Sequence, residues 1–201
     1  MIAVVDYATG NLRSVADALR RAGAEFTLTA DPALLRGADK VILPGVGSFG
    51  DAMNHLQEYG LVDVIHELTE LEKPFLGICL GLQLLFERSE ESPGVEGLGI
   101  LKGEILKIPE TEGLKIPHMG WNSLTFQNQG RLFKGLEEHP YVYFVHSYYL
   151  KAEEESIIKA TTQYGVTIHA SVEKGNVFAC QFHPEKSSRA GLQMLKNFAE
   201  L

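Results

Sequence analysis

The stretch Pro74-Phe75-Leu76-Gly77-Ile78-Cys79-Leu80-Gly81-Leu82-Gln83 restricts the architecture of this chain more than any other. An apolar run of strand length passes into a helical segment with no linker, and Gly77 and Gly81 bracket the joint. Such a joint is a strand-to-helix elbow. The residue at its apex takes a strained backbone geometry, and its neighbours must be small for the chain to close around it. An elbow of this kind needs a buried strand feeding a helix, which is the repeating unit of α/β folds.

The rest of the first half keeps that rhythm. Ile2–Val5, Phe26–Thr29, Lys40–Leu43 and Phe75–Ile78 read as strands, with helical segments between them, the pattern of a parallel sheet. In the first helix, near Leu12–Arg21, residues Leu12, Val15, Ala16 and Leu19 recur at three- and four-residue intervals, so one face packs on the sheet, and Gly23 ends it. Val41-Ile42-Leu43 is apolar on both faces, as a central parallel strand requires. From about Gly103 the segments become short and alternating: Glu104–Ile108, Tyr141–His146, Ile157–Thr162, Thr167–Val172 and Val177–Phe182 suggest added antiparallel strands. Ser188–Leu201 reads as a closing helix. Without repeats or linkers, residues 1–201 are expected to form one domain.

Composition narrows the function classes. With 45% hydrophobic and 22% charged residues the chain can bury a core and is not disordered. A formal net charge of -8 argues against nucleic acid as a partner, which leaves a small substrate or another protein. Two cysteines, Cys79 and Cys180, are too few for a disulfide framework; with no leader or membrane-length apolar run in the sequence, a cytoplasmic protein that meets no membrane is expected. His55, His66, His139 and His169 lack metal-ligand spacing, so neither a metal nor another cofactor is expected.

The elbow makes Cys79 a candidate nucleophile, since the amide groups and dipole at the start of the following helix favour a thiolate. The Leu80 N–H is placed to stabilise an oxyanion. A free cysteine is commonly just a buried apolar residue, and that is the reading for Cys180, inside an apolar strand with no glycine bracket. A thiolate nucleophile needs a base, and the base an orienting group. Gln181-Phe182-His183-Pro184-Glu185 offers both: His183 follows a strand, as Cys79 does, and Glu185 stands two residues on. His146-Ser147-Tyr148 ends an aromatic strand, where free backbone groups could bind a substrate carboxylate. His118, Met119 and Trp121 form an apolar cluster in the segment 117–122, read as irregular and as a docking patch for another protein.

Gly77-Ile78-Cys79-Leu80-Gly81 with Phe182-His183-Pro184-Glu185 resembles the triad-type, class I glutamine amidotransferases, over essentially the whole chain. The runs Pro44–Gly50, Pro117–Asn122, Tyr143–Tyr148 and His183–Ser187 resemble more narrowly the glutaminase subunits of imidazole glycerol phosphate synthases. The resemblance implies a flavodoxin-like three-layer sandwich, with a mainly parallel central sheet and added antiparallel strands. It implies hydrolysis of L-glutamine by Cys79, His183 and Glu185. The ammonia would pass to a partner cyclase, a (β/α)8 barrel, in a heterodimer that makes imidazole glycerol phosphate and AICAR in histidine biosynthesis.

By the same resemblance Gln83 binds the substrate α-carboxylate or amide end, Glu91 meets the substrate ammonium, and Asn11 and Lys186 meet the cyclase. A second oxyanion donor is expected from the loop Gly45-Val46-Gly47, which leaves a strand at the carboxyl edge where α/β sheets hold ligands. Glycines on both sides leave the Val46 peptide free to rotate, so its N–H is expected to be the adjustable donor. Alternatives are a glutaminase of another synthase, a γ-glutamyl hydrolase or cysteine peptidase on a similar sheet, and a silent regulatory subunit. The apolar 117–122 patch, a docking face or a wall of the ammonia exit, and the absence of an acceptor site for ammonia favour an exporting subunit, and the presence of all three triad residues disfavours a silent one.

Overall fold

The computed structural model describes residues 1–8, 11–128 and 130–201. Strands β1 (Ile2–Val5), β2 (Phe26–Thr29), β3 (Lys40–Gly45) and β4 (Phe75–Cys79) alternate with helices α1 (Leu12–Ala22), α2 (Pro32–Gly37), α3 (Phe49–Glu58) and α4 (Val62–Glu70). Helix α5 (Leu80–Leu84) starts at the residue after β4. The second half brings β5 (Arg88–Ser89), β6 (Gly103–Lys107), β7 (His118–Ser123), β8 (Thr125–Phe126), β9 (Tyr141–His146), β10 (Tyr148–Ala152), β11 (Ile158–Tyr164), β12 (Val166–Lys174) and β13 (Val177–Cys180), followed by α6 (Ser188–Ala199).

The main sheet has eight strands in the order β2-β1-β3-β4-β13-β12-β11-β8. The first five are mutually parallel and the last three join antiparallel. This is the expected mainly parallel sheet with antiparallel additions, and its parallel part follows the flavodoxin-like order. Alternation along the strands sorts the core into two layers. Ala3, Val5, Val41, Leu43 and Phe75 point to α2, α3, α4 and α5; Ile2, Val4, Ile42, Leu76 and Ile78 point to α1 and α6. Helices thus cover both faces, which is why the parallel strands are apolar throughout.

Three features depart from the sequence reading. The segment 117–122 is not irregular: His118–Ser123 forms β7, paired antiparallel with β9 in a two-stranded ribbon. Pro117 and Gly120, the latter with φ +120°, break the usual strand pattern there. Tyr148 does not end the aromatic strand but begins β10, which pairs with β6 in a three-stranded sheet. The last strand stops at Cys180, leaving Gln181 and Phe182 as the lead into His183. Among the described residues no helix is long and apolar enough to cross a membrane.

Candidate active site

Register places the reacting groups. Strands β4 and β13 are parallel neighbours with Ile78 opposite Cys180. The chain therefore leaves the same edge of the sheet as Cys79 on one strand and as Gln181-Phe182-His183 on the next. Cys79 has φ 55° and ψ -108°, a strained conformation for a residue with a side chain. The glycines on either side allow it. A Cβ on Gly77 would lie 2.7 Å from the Gly81 carbonyl oxygen, and one on Gly81 would overlap the Leu43 carbonyl of β3. Leu80 is the first residue of α5, so its N–H has no carbonyl one turn earlier inside the helix.

His183 is held at both ends. Its backbone N–H donates to the Tyr143 carbonyl (2.9 Å). Its own carbonyl accepts the Ser187 hydroxyl (2.6 Å), whose oxygen accepts the Tyr143 N–H (2.9 Å). The imidazole Nδ1 meets Glu185 Oε1 at 2.7 Å, with both side chains almost fully buried. The carboxylate oxygen can only accept, so Nδ1 carries the proton and Nε2 is the nitrogen left for the sulfur. Nε2 is buried, makes no other hydrogen bond, and interacts with the Cys79 side chain. Burial opposes charge on this ring, but interaction with the Cys79 sulfur and the Glu185 carboxylate outweighs it and pushes the His183 pKa up to about 10. The ring is thereby poised as imidazolium. Burial pushes the Cys180 thiol up, which keeps that cysteine an inert core residue.

Cys79 and His183 open into a cavity of about 420 Å³ that is also lined by Val46, Gly47, Leu80, Gln83, Glu91, His146, Ser147 and Tyr148. Gly45 lies just behind it, paired in register with Cys79. The residues expected to bind substrate and oxyanion are thus brought together. Pro117 and Val145 line it too, and the Val145 carbonyl lies 4.0 Å from the Cys79 sulfur. Neither was expected at the site, although both fall in the runs Pro117–Asn122 and Tyr143–Tyr148. A larger cleft of about 880 Å³, near Gln127, Lys151 and His169, holds none of the triad.

The polar side chains have specific commitments. Gln83 Nε2 donates to the Tyr148 carbonyl and to Gln181 Oε1, both at 3.1 Å, so a ligand can meet only its oxygen, which suits an N–H donor and not the expected α-carboxylate. Glu91 Oε2 accepts the Phe49 N–H at the start of α3 (2.8 Å), leaving its other oxygen for a ligand. Both ring nitrogens of His146 are engaged inside the protein, Nδ1 with the Tyr148 carbonyl (2.8 Å) and Nε2 with His118 Nδ1 (2.9 Å). The backbone of 146–148 is what remains for a ligand. Gln181, fully buried and overlooked as a site residue, reaches the Cys79 sulfur with Nε2 at 3.8 Å. A single amide after an apolar strand carries no signal of such a role.

The expected docking residues divide. Met119 (62% exposed) and Trp121 (52%) project outward from β7. His118 does not, which corrects the expectation that it meets a partner: it is 2% exposed and stacked between Phe144 and Tyr164. Alternation along a strand turns residue 118 inward when 119 and 121 turn outward. Asn11 caps α1, its side-chain oxygen accepting the Ser14 N–H (3.4 Å). Lys186 lies beside Glu185 with Nζ 5.9 Å from the centre of the Tyr143 ring.

The chain is similar to known proteins over its whole length. The family model described as glutamine amidotransferase class-I matches residues 3–201. The "Imidazole glycerol phosphate synthase subunit HisH" of Moorella thermoacetica is 52% identical over 200 residues, covering 100% of this chain and 94% of the relative. That of Methanothermobacter thermautotrophicus is 49% identical over 201 residues, covering 100% and 98%. Among solved structures, a "glutamine amidotransferase" superposes with TM-score 0.77 at 22% identity, covering 100% of both chains. "PurLQS from Thermotoga maritima" gives 0.75 at 24% identity, covering 99% and 97%. With its elbow cysteine, buried His–Glu pair and full-length similarity to the HisH subunits, the chain belongs to the class-I glutamine amidotransferase family.

Proposed function

We propose that this glutaminase subunit hydrolyses L-glutamine through a thioester at Cys79 and passes the ammonia to a partner cyclase, a (β/α)8 barrel. The partner makes imidazole glycerol phosphate and AICAR in histidine biosynthesis. The observation that carries the chemical reading is the buried His183–Glu185 pair beside a cysteine held at φ 55°. The cytoplasm is the compartment we assign, in keeping with two free thiols.

The thiolate of Cys79 adds to the side-chain amide carbon, and the carbonyl electron pair moves to oxygen. Leu80 N–H and the N–H of Val46 or Gly47 stabilise that oxyanion. When the intermediate collapses the C–N bond breaks, and the His183 imidazolium gives its proton to the departing nitrogen, releasing ammonia. Neutral His183 then takes a proton from water as the water oxygen attacks the thioester. Collapse of the second oxyanion breaks the C–S bond, frees glutamate and restores the thiolate–imidazolium pair. Glu185 holds the ring in one tautomer throughout. At the other end of the substrate, the Gln83 oxygen and the free oxygen of Glu91 receive the α-ammonium, and the backbone of Gly45 and of His146-Ser147-Tyr148 holds the α-carboxylate.

Met119 and Trp121, with Asn11 and Lys186 nearby in role, form the docking face in this reading. The test is glutamate release by the chain mixed with a candidate barrel cyclase and its ribotide ligand, for wild type and Cys79→Ala. Ligand-stimulated release that disappears in Cys79→Ala is expected; the reading fails if the ligand-bound pair releases no more than the chain alone.

A further inference from the structure

A continuous run of polar groups, buried at its two histidines, leads away from the nucleophile, and its hydrogen positions follow from its ends. The Tyr148 carbonyl can only accept, so His146 Nδ1, at 2.8 Å, must carry a proton. Burial holds His146 neutral, its pKa pushed down to about 3, so Nε2 is a bare lone pair. That lone pair requires His118 Nδ1, at 2.9 Å, to be the donor. His118 is likewise kept neutral by burial, at about 4, so its Nε2 accepts from Asn122 Nδ2 at 3.3 Å. The second Asn122 proton goes to the Gln163 carbonyl (3.0 Å). Each donor therefore points toward Tyr148.

The near end of the run is at the chemistry. The Tyr148 carbonyl also accepts from Gln83 Nε2, whose other proton goes to Gln181 Oε1. This orients the Gln181 carboxamide, turning its Nε2 toward the Cys79 sulfur. His118 is clamped between the rings of Phe144, at 4.6 Å, and Tyr164, at 3.9 Å, so the far end is fixed by packing. A neutral, fully paired pair of histidines at 2% and 6% exposure does more than fill space. An apolar residue would fill the same volume without polar groups to satisfy.

We propose that His118 and His146 are positioning residues for glutamine hydrolysis, holding the Tyr148 carbonyl that orients Gln83 and, through it, the Gln181 amide at the Cys79 sulfur. This rests on Cys79 being the nucleophile. Neither histidine touches the reacting atoms. Their effect passes through an amide that donates to sulfur, stabilising the thiolate, and through the Gln83 oxygen that faces the substrate.

The test uses the full chain assembled with its synthase partner, with kcat and KM for glutamine and urea-unfolding midpoints measured in parallel. His146→Leu keeps the bulk and removes the donor, leaving the buried His118 Nδ1–H unpaired; kcat/KM is expected to fall about tenfold or more when measured well below the unfolding midpoint, where the variant is still fully folded. His146→Asn, whose Nδ2 stands where the imidazole Nδ1 was, is expected to recover to within about threefold of wild type. Gln181→Leu is expected to fall similarly, and the His146→Leu/Gln181→Leu double variant to fall little further, because both changes break one run. If His146→Leu does not fold, His118→Leu, which removes the donor to His146 and the acceptor for Asn122 while leaving the His146–Tyr148 bond, carries the same series. Wild-type kcat/KM in the Leu variants, no recovery in His146→Asn, or additive losses in the double variant would each overturn the proposal. Retained hydrolysis in Cys79→Ala would instead sink the nucleophile reading.

Discussion

Gly81 and Leu43 meet backbone to backbone: the space where a Cβ of residue 81 would sit is filled by the Leu43 carbonyl of β3. Helix α5 can start directly under the sheet edge only because of this contact. Gly81→Ala is therefore expected to destabilise the fold by about 3 kcal/mol or more, by overpacking against backbone that cannot rotate away. Denaturant unfolding measures the loss, and glutamine turnover should fall with it because Cys79 would be displaced.

Removing triad groups should separate their roles. Cys79→Ala is expected to reduce glutamate release by at least ~10³-fold, leaving the unfolding midpoint near wild type. Glu185→Gln is expected to reduce kcat strongly with a smaller effect on KM, since the amide can present its N–H to Nδ1 and impose the wrong tautomer. Steady-state kinetics with a coupled glutamate assay resolves the two.

The histidines give stability a pH dependence of known sign. His118 and His146 have folded pKa values of about 4 and about 3, below the ordinary 6.5, so the unfolded chain binds protons first as pH falls. Their stabilising contribution is full above about pH 6.5 and is lost progressively as pH drops through that window toward 3. His183, raised to about 10, does the reverse: its contribution is full below about 6.5 and is lost as pH rises toward 10. Urea midpoints measured from pH 4 to pH 10 should fall at both ends. Replacing His118 and His146 with Leu should flatten only the acid side.

Met119 and Trp121 are the large apolar side chains that β7 leaves in water, and a cavity of about 420 Å³ beside Trp121 is rimmed by Arg21, Lys186 and Arg189. An exposed tryptophan next to cationic groups is the composition of an interface anchor. Trp121→Ala is expected to weaken assembly with the cyclase about tenfold or more, while glutamine hydrolysis by the free chain stays unchanged. Titration calorimetry and the glutaminase assay check the two halves separately.

The parallel half of the fold was legible because its signals are local. β1 and β2 match residue for residue, and β3 and β4 run one or two residues longer than read, into Gly45 and Cys79. The helical stretch before β4 is two helices, split at Gly60 with φ +65°, the same kind of glycine stop that ends α1 at Gly23. Strand β7 is masked in the sequence by Pro117 immediately before it and Gly120 within it. An irregular segment fixes no side-chain direction, so the inward turn of His118 follows only from the strand. The cysteine, histidine and glutamate of the site were readable from residue type and spacing. Gln181, Val145 and Pro117 were not, because they are brought to the cavity by register and ribbon packing between segments far apart in sequence.

The pairing of Ile78 with Cys180 has a consequence for how this protein tolerates change. The separation of sulfur and imidazole is set by ladder hydrogen bonds between two buried strands together with the short lead Gln181-Phe182, so the length of the surface connections does not enter it. Insertions in the surface connections should leave the reacting pair undisturbed. A slip of β13 by a single residue against β4, in contrast, would exchange the two faces of the strand and carry His183 out of reach.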